Sequence, residues 1–499
     1  MIFEGNQHPG HNAIESPGYE PLSYRELRDQ IAYVVKTLNA KGFNRNDRIA
    51  VITPGGPETA VLMISVMAGF TCVSINPRYK QDEYNRYFSR LRINAIIIQK
   101  GDETPARSVA KERNLPVIEM VPQGKTCGIF MLIPETPAGG KPRFAAPEDI
   151  ALIVLTSGST DIPKIVPLTQ RLTCTAAERG SAANQYTGAE RCLLITQYYH
   201  MIANSSMMQV MFAGGTVICT RDFIAPDIVP LLKDYRPTFY SAPPALHQVI
   251  LRELKKAAPG TPVTHSLRFI RTISAFMPAE LRSQLEEVLG VPVMETYGMS
   301  EVGMAIASAV SPRKKGFVGK PNVEQLAIMD DEGVILDSPE PGEIVVRGAS
   351  VFDGYENAPE ENAAAFTAGW FRTGDIGYLD KEGFLWISGR KKELINKGGE
   401  KIAPVEVDAV LMAHPLVKDA MSFKIPDPVF GEDIAAMVVP AEGPVTEQEL
   451  RMYLLNNLAQ FKVPRRIYFA DAIPRNPTGK PLRHVGTERY SGSGSRLPS

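Results

Sequence analysis

The first stretch whose residue types could do chemistry is a polar loop that follows a buried strand. Residues 151–155 are an apolar run, and residues 156–164 read Thr-Ser-Gly-Ser-Thr-Asp-Ile-Pro-Lys. Glycine lets the backbone approach a ligand closely, hydroxyl and N–H groups donate hydrogen bonds, and Lys164 supplies positive charge. The loop is therefore suited to phosphate groups. It lacks the spacing of a P-loop, and a polar surface turn is the alternative interpretation.

Four further segments contain residues that suit nucleotide chemistry. In chain order they are Tyr-Gly-Met-Ser-Glu at 297–301, Gly-Trp-Phe-Arg-Thr-Gly-Asp at 369–375, Gly-Arg-Lys-Lys-Glu-Leu-Ile at 389–395 and Asn-Pro-Thr-Gly-Lys at 476–480. A carboxylate is a good ligand for Mg²⁺, and it can also accept hydrogen bonds from two neighbouring hydroxyls. Taken singly, each of these segments could also be a turn or a solvated surface.

Together the five segments resemble the motifs of the ANL superfamily of adenylate-forming enzymes. This superfamily includes acyl-CoA synthetases, peptide-synthetase adenylation domains and firefly-type luciferases. All five motifs occur in the family's order, and the resemblance extends over residues 23–490. It implies that the chain uses ATP and Mg²⁺ to activate a carboxylic acid as its acyl-AMP. The acyl group then passes to the thiol of coenzyme A.

The resemblance also implies a set of nucleotide-binding residues. Tyr297 would stack on adenine, Ser300 would contact the α-phosphate, and Glu301 would hold Mg²⁺. Asp375 would bind the ribose hydroxyls, with Arg390 on the same side. The residues assigned in this way to ATP or AMP are Thr156, Ser157, Gly158, Ser159, Thr160, Lys164, Ser274, Ala275, Tyr297, Gly298, Ser300, Asp375 and Arg390.

The last two motifs resemble the family's hinge and its catalytic lysine. Lys480 would bridge the carboxylate and the α-phosphate, while Lys164 acts on the outer phosphates. Lys392 would be the pivot about which a small C-terminal domain rotates after adenylate formation. Rotation would replace the lysine with a thiol tunnel lined by Gly398, Gly399 and Glu400, because only glycine lets pantetheine pass close to the backbone.

The acid-binding residues are predicted from residues 197–201, which are similar to the family's aromatic–histidine segment. His200 is thus a third candidate catalytic residue. Amino-acid-activating relatives have an aspartate at its position, which argues against an α-amino acid substrate. The predicted acyl pocket consists of Tyr199, His200, Met201, Met299 and Met304. Its methionines favour an apolar or aromatic acyl group, although methionine also fills ordinary cores. Residues 167–170 are more similar to branches that activate small acids, including oxalate, than to long-chain branches.

The phosphate loop departs from the family pattern at Asp161 and Ile165, where the family has glycines. The Asp161 carboxylate would repel a triphosphate, and Ile165 would stiffen a loop that is normally mobile. Three hypotheses therefore remain: a CoA ligase, a stand-alone enzyme that loads the phosphopantetheine arm of a carrier protein, and a catalytically retired protein that binds a nucleotide or a partner. We favour the CoA ligase because Glu301 and Lys480 are present, and we expect glycine at 161 or 165 to leave activity in place.

The elements that must position these motifs alternate between helical and strand-like patterns. Ser23 and Glu26 form a capping box ahead of an amphipathic helix. Residues 48–52 and 95–98 are continuous apolar runs typical of buried strands, and residues 59–73 predict one buried helix. Buried runs separated by helices predict parallel sheets that are covered on both faces.

The order of these patterns predicts an α/β fold with two domains. We expect a large N-terminal domain over residues 1–391, which contains a β-rich subdomain at about 325–391, and a small mobile α+β domain over residues 392–490. Short strands and turns after residue 325 indicate the subdomain, and a polar, basic stretch after Arg390 indicates the hinge. The tail at 491–499 is rich in Gly and Ser, so we expect it to be flexible.

Composition narrows the class of protein. The chain has 499 residues, 44% of them hydrophobic and 22% charged, and a net charge of −1, so no global field favours nucleic acid or an anionic membrane. Its five cysteines lack a C-x-x-C pair and predict reduced, buried thiols. We find neither a signal peptide nor a membrane-spanning stretch. We expect a cytoplasmic monomer or homodimer that acts on a small-molecule acid, with an acyl carrier protein as the alternative partner.

Overall fold

The computed structural model describes residues 9–135, 140–156, 163–221, 223–257, 263–275, 277–308, 314, 316–337, 339–441, 443–476 and 479–490. For Met304, Ala305 and Ser308 it describes the backbone alone. The strands of the first two sheets are β1 (Asn12–Glu15), β2 (Leu22–Ser23), β3 (Arg48–Ile52), β4 (Thr71–Ser74), β5 (Ala95–Gln99), β6 (Val117–Pro122), β7 (Phe130–Ile133), β8 (Ile150–Leu155), β9 (Ile165–Thr169), β10 (Arg191–Leu194), β11 (Thr216–Cys219), β12 (Phe239–Ala242), β13 (Ile270–Ile273), β14 (Val293–Met299), β15 (Met304–Ser308) and β16 (Lys320–Pro321).

The later strands and the helices complete the set of elements. The strands are β17 (Gln325–Met329), β18 (Gly342–Arg347), β19 (Phe366–Thr367), β20 (Trp370–Leu379), β21 (Leu385–Arg390), β22 (Ile395–Lys397), β23 (Glu400–Ile402), β24 (Val417–Asp427), β25 (Gly431–Pro440) and β26 (Arg466–Phe469). The helices are α1 (Tyr24–Ala40), α2 (Pro57–Gly69), α3 (Gln81–Leu91), α4 (Pro105–Glu112), α5 (Gln170–Ala183), α6 (Met201–Phe212), α7 (Ile228–Asp234), α8 (Pro244–Ala257), α9 (Ala279–Leu289), α10 (Pro359–Ala365), α11 (Pro404–Met412), α12 (Glu447–Asn457) and α13 (Arg483–Tyr490).

Two mainly parallel sheets form the larger part of the molecule. One has the strand order β7-β6-β5-β3-β4-β8-β9, and the other has the order β16-β15-β14-β13-β12-β10-β11-β1-β2. Helices α1, α2, α5 and α6 pack between them in one hydrophobic cluster that takes residues from both sheets. The outer faces of the sheets have separate clusters. The α/β fold is therefore confirmed, and it has the double coverage that continuous apolar strands require.

The β-rich segment is a five-stranded antiparallel sheet. Its order is β17-β18-β20-β19, with β21 paired to β20. The register of β20 and β21 sets Asp375 directly opposite Arg390. Two residues from separate sequence motifs thus meet on neighbouring strands.

The C-terminal sheet has the order β23-β22-β25-β24, with β26 paired to β25. Its two hydrophobic clusters contain only residues from Ile395 onward. Helix α11 packs on β24, and α13 packs on the same strand. The C-terminal sheet thus has hydrophobic clusters of its own, separate from those of the large sheets.

Two local predictions can be compared with the helices. The capping box at Ser23 and Glu26 is confirmed, because the Ser23 N–H donates to Glu26 Oε2 at 2.8 Å and the Glu26 N–H donates to Ser23 Oγ at 3.3 Å. The single buried helix predicted for residues 59–73 is wrong at its end. Helix α2 stops at Gly69, and Phe70 has the extended backbone that leads into β4. A short apolar run does not distinguish a buried helix from a buried strand.

In the described residues, no helix is long and apolar enough to cross a membrane. All five cysteines are free thiols, and four of them are buried.

Ile165 lies at the start of β9 and not in the phosphate loop. It pairs with Leu155 of β8, its side chain is 3% exposed, and it packs in the cluster on the outer face of the seven-stranded sheet. The expectation that Ile165 stiffens the loop is therefore wrong. Its side chain stabilises the strand that brings Lys164 back to the sheet.

We predict that Ile165→Gly destabilises the protein. Removing a buried side chain of this size costs about 2–5 kcal/mol, and glycine adds backbone freedom to the unfolded chain. Thermal unfolding should show a clearly lower apparent Tm. Ile165→Val is the matched control, with an expected cost of about 0.5–1.5 kcal/mol. Equal melting of the glycine variant and the wild type would contradict the packing role.

Candidate active site

A large cavity opens between the two large sheets and the C-terminal sheet. Its volume is about 2310 Å³. The residues after β8, β13 and β14 line it on one side, and the segment before α13 lines it on the other. Side chains at the carboxyl ends of parallel strands commonly form binding sites in α/β folds.

The two ends of the predicted phosphate loop meet at this cavity. The Thr156 N–H donates to the Lys164 carbonyl at 3.0 Å, and both residues line the cavity. The residues between them that we assigned to ATP, namely Ser157, Gly158, Ser159 and Thr160, lie outside the described residues, as does Asp161. The hairpin of β8 and β9 thus places Lys164 at the site.

Lys164, Tyr355 and Glu301 form a contiguous group. The Lys164 ammonium lies 4.2 Å from the centre of the Tyr355 ring, and the Tyr355 hydroxyl donates to Glu301 Oε1 at 2.8 Å. Glu301 is 6% exposed, and burial raises the pKa of its carboxyl against the opposing effects of Tyr355, Arg390 and Lys164. Tyr355 was missed by sequence reasoning. No motif contains Tyr355, so the sequence offered no signal for its role.

The site fits Mg²⁺ better than a cation that needs an all-protein cage. Within the described ranges, no group of three or more His, Cys, Asp or Glu residues could hold a metal ion. Mg²⁺ usually takes one or two carboxylates and completes its shell with water and substrate phosphates. A single buried carboxylate, already oriented by a tyrosine hydroxyl, matches that requirement.

A second group joins Tyr297, Asp375 and Arg390. The Tyr297 hydroxyl donates to Asp375 Oδ2 at 2.7 Å, and Arg390 Nε lies 3.0 Å from Asp375 Oδ1. Asp375 is 5% exposed, and burial raises its pKa while the Arg390 charge and the Tyr297 hydrogen bond act against that rise. The structure therefore brings together three residues that the sequence assigned to adenosine.

The remaining nucleotide candidates line the same cavity. They are Ser274, Ala275, Gly298 and Ser300. Ser274 has a φ of +80°, in the left-handed region that non-glycine residues seldom adopt. Such backbone strain is concentrated at functional sites.

The predicted acyl pocket is also part of the cavity. Tyr199, His200, Met201 and Met299 line it, whereas the side chain of Met304 lies outside the described structure. The centres of the Tyr199 and His200 rings are 4.4 Å apart. Burial lowers the pKa of His200 to about 4, so its imidazole is neutral at pH 7.

The catalytic candidate Lys480 reaches the cavity from the C-terminal side. Its ammonium donates to Glu393 Oε1 at 2.9 Å, and its backbone N–H donates to Asn476 Oδ1 at 2.8 Å. A Cβ on the preceding Gly479 would lie 3.2 Å from the Ala245 Cβ of the large part. Lys480 is thus held at the mouth of the cavity, and Glu393 is a contact that sequence reasoning missed.

The hinge candidate Lys392 is among the residues that line the cavity, whereas the tunnel candidates lie elsewhere. Lys392 is exposed in the short turn between β21 and β22. Gly398, Gly399 and Glu400 are exposed around the β22–β23 turn and do not line the cavity. In this structure, Lys480 and not the glycine segment faces the site.

Comparison with known proteins agrees with this geometry. The chain matches the family described as AMP-binding enzyme over residues 4–356 and the AMP-binding enzyme C-terminal domain over residues 406–480. It is 33% identical over 495 residues to an oxalate–CoA ligase from Arabidopsis thaliana. The alignment covers 97% of this chain and 96% of that protein.

Two solved structures have the same fold over nearly the whole chain. ATP-bound MatB from Rhodopseudomonas palustris has a TM-score of 0.86 and 26% identity, with 98% of both chains covered. The o-succinylbenzoate coenzyme A synthetase of Bacillus subtilis, in complex with ATP and magnesium, has a TM-score of 0.83 and 25% identity, with 96% of this chain and 97% of that one covered.

We predict that Glu301→Gln raises the Mg²⁺ requirement of adenylate formation and lowers its rate. Glutamine keeps the size of the side chain and removes the charge that attracts the cation. The measurement is acid-dependent ATP–pyrophosphate exchange across a Mg²⁺ titration. Tyr355→Phe, which removes only the hydrogen bond to Glu301, should have the smaller effect, about 10-fold in the Mg²⁺ midpoint. An unchanged titration in Glu301→Gln would remove Glu301 from the metal site.

Proposed function

The chain belongs to the AMP-binding enzyme family, and from this premise we propose how its cavity forms and transfers an acyl-adenylate. The enzyme is an AMP-forming acid–thiol ligase: ATP activates a carboxylic acid to acyl-AMP and pyrophosphate, and the acyl group passes to coenzyme A. The observation that carries the proposal is that Lys164, Glu301 and Lys480 line one cavity.

Adenylate formation must overcome repulsion between a carboxylate and a polyanionic nucleotide. Lys164 neutralises the outer phosphates, and Lys480 neutralises the carboxylate and the α-phosphate where they meet. Fixed charges of this kind supply most of the catalysis in phosphoryl chemistry, so an activated serine or cysteine is not needed. The Lys480 ammonium lies 2.9 Å from Glu393 Oε1 in this structure.

The nucleoside and the metal are held by the two buried carboxylates. Asp375 accepts the ribose hydroxyls, while Tyr297 and Arg390 fix its orientation. Glu301 would hold Mg²⁺, with Tyr355 orienting the carboxylate. The cation, when bound, supplies positive charge to the phosphate oxygens. Ser274, Ala275, Gly298 and Ser300 complete the wall around the nucleotide.

The thiol step needs a different face of the C-terminal domain. Arg390 and Lys391 are bound to the large part through Asp375 and Glu343, so the chain is anchored up to Lys391. Rotation about the exposed Lys392 moves the turn at Gly398 and Gly399 toward the cavity. Glycine at these positions leaves room for a pantetheine arm. Coenzyme A is the proposed donor of that arm, and a carrier protein is the alternative.

The acid binds against Tyr199, His200, Met201 and Met299. The half-buried His200 and the apolar side chains of Met201 and Met299 support an uncharged acyl group, in contrast to the substrate named for the oxalate–CoA ligase relative. Lys480 and Glu301 at the cavity argue against the catalytically retired alternative.

The test of the function is acid-dependent pyrophosphate release. The purified protein should release pyrophosphate from ATP with at least one acid in a panel that contains aromatic, short-chain and long-chain acids, oxalate and an α-amino acid. Adding coenzyme A should yield the acyl thioester, and a holo carrier protein tested in parallel distinguishes the second acceptor. Preference for oxalate would contradict the uncharged acyl group but not the reaction. Failure with every acid would favour the retired alternative.

We predict that different substitutions in the C-terminal part impair different half-reactions. Lys480→Ala should suppress acyl-AMP formation by about 10²–10³-fold and leave thioester formation from synthetic acyl-AMP nearly intact. Gly399→Leu should do the reverse because its side chain obstructs pantetheine. Lys392→Pro should resemble Gly399→Leu, since fixing φ at the pivot hinders rotation.

The control for the glycine variant is Gly399→Ala. Gly399 has a φ of +101°, and no atom lies within 4 Å of a Cβ built there, so alanine introduces the same backbone strain with little bulk. The measurements are pyrophosphate exchange and single-turnover thioester formation. If Lys480→Ala slows both halves equally, the enzyme works in a single conformation and the domain-rotation mechanism does not apply.

A further inference from the structure

Glu393 lies between two cations at the mouth of the cavity. Its Oε1 accepts from the Lys480 ammonium at 2.9 Å, and its Oε2 accepts from Arg483 Nε at 3.1 Å. Burial raises the pKa of Glu393, but the charges of Lys480 and Arg483 outweigh that effect and hold it below its ordinary value. The carboxylate is therefore ionised at neutral pH and binds both cations.

Arg483 fixes the position of this carboxylate. The Arg483 side chain is 11% exposed, and its Nη2 lies 2.7 Å from Asp408 Oδ2 on α11. A guanidinium donates through a planar, rigid fork, so contacts to two carboxylates determine its orientation. One oxygen of Glu393 is held by this anchored arginine, and the other is directed to Lys480.

The residues before Lys392 form ion pairs with the large part of the molecule, and the residue after it forms ion pairs with the C-terminal segment. Arg390 pairs with Asp375 at 3.0 Å, and Lys391 pairs with Glu343 at 3.1 Å, both in the large part. Lys392 is exposed. Glu393 is the next residue, and its two partners belong to the C-terminal segment. A rotation at Lys392 would therefore carry Glu393 and Lys480 together as one unit.

We propose that Glu393 is a positioning residue for adenylate formation, which orients the Lys480 ammonium at the cavity. This role rests on the proposed function. An ammonium has three N–H donors, so one bond to Glu393 leaves two donors for the acid carboxylate and the α-phosphate. A lysine side chain otherwise has many rotamers, and ordering it in advance lowers the cost of reaching the productive geometry.

The competing explanation is that Glu393 only braces the C-terminal domain through Arg483. The two explanations predict different effects on folding and on the two half-reactions. A purely structural residue affects folding and both half-reactions. The effect of substituting it adds to the effect of removing Lys480. A positioning residue acts through Lys480, so its substitution has little further effect once Lys480 is absent.

The experiment compares Glu393→Gln, Glu393→Asp, Lys480→Ala and the double variant Glu393→Gln/Lys480→Ala. Each is measured in acid-dependent pyrophosphate exchange and in thioester formation from synthetic acyl-AMP. Glu393→Gln should lower kcat of the exchange by about 10²-fold, with little change in KM for ATP and in the thioester step. Glu393→Asp keeps the charge and should recover part of the loss. The double variant should equal Lys480→Ala.

The matched control is Glu406→Gln. Glu406 pairs with Lys462 at 2.6 Å in the same C-terminal part, and neither residue lines the cavity. It should behave as the wild type in both assays, and thermal unfolding checks that every variant folds. Equal losses in both half-reactions, or an additive loss in the double variant, overturn the positioning role. Absence of activity in the wild type with every acid instead overturns the proposed function, and this role with it.

Discussion

The geometry of the site depends on one ion pair, in which the buried Asp375 carboxylate binds the half-exposed Arg390 side chain. A carboxylate that is 5% exposed is costly unless a cation and hydrogen bonds compensate for its lost hydration. Arg390 supplies the cation from the neighbouring strand of the antiparallel sheet, and Tyr297 supplies a hydrogen bond from β14 of the nine-stranded sheet. Because Lys391 follows directly, the same pair joins two sheets to the start of the hinge.

The other cations of the cavity are also held by contacts with neighbouring side chains. Lys480 is bound to Glu393, and Lys164 lies against the ring of Tyr355, whose hydroxyl holds Glu301. The cations that must face a polyanionic substrate are thus ordered by the protein itself. Charges that are already in place stabilise a transition state without reorganisation during the reaction, which is why their positioning contributes more than their number.

Many of the residues assigned from the sequence line the cavity, but sequence reasoning missed Tyr355 and Glu393. Tyr355 lies outside every motif, and its partners Lys164 and Glu301 come from other parts of the chain. Glu393 lies inside the hinge motif among bases, yet its bond to Lys480 exists only because the C-terminal segment folds back on the hinge. Ile165 was placed in a loop because the family pattern has a glycine at its position, whereas the structure pairs it with Leu155 at the start of the edge strand β9.

The sequence by itself determined the α/β class, the order of the motifs and the residue types that can bind phosphate, ribose and metal. These properties are local, since hydrophobic period and side-chain chemistry can be read over a few residues. The tertiary structure alone decided which carboxylate binds which cation, that the pKa of the half-buried His200 is lowered, and that Lys480 rather than Gly399 faces the cavity. These outcomes depend on the order of strands in the sheets and on the orientation of the C-terminal domain, and distances between remote segments are not encoded in any local pattern.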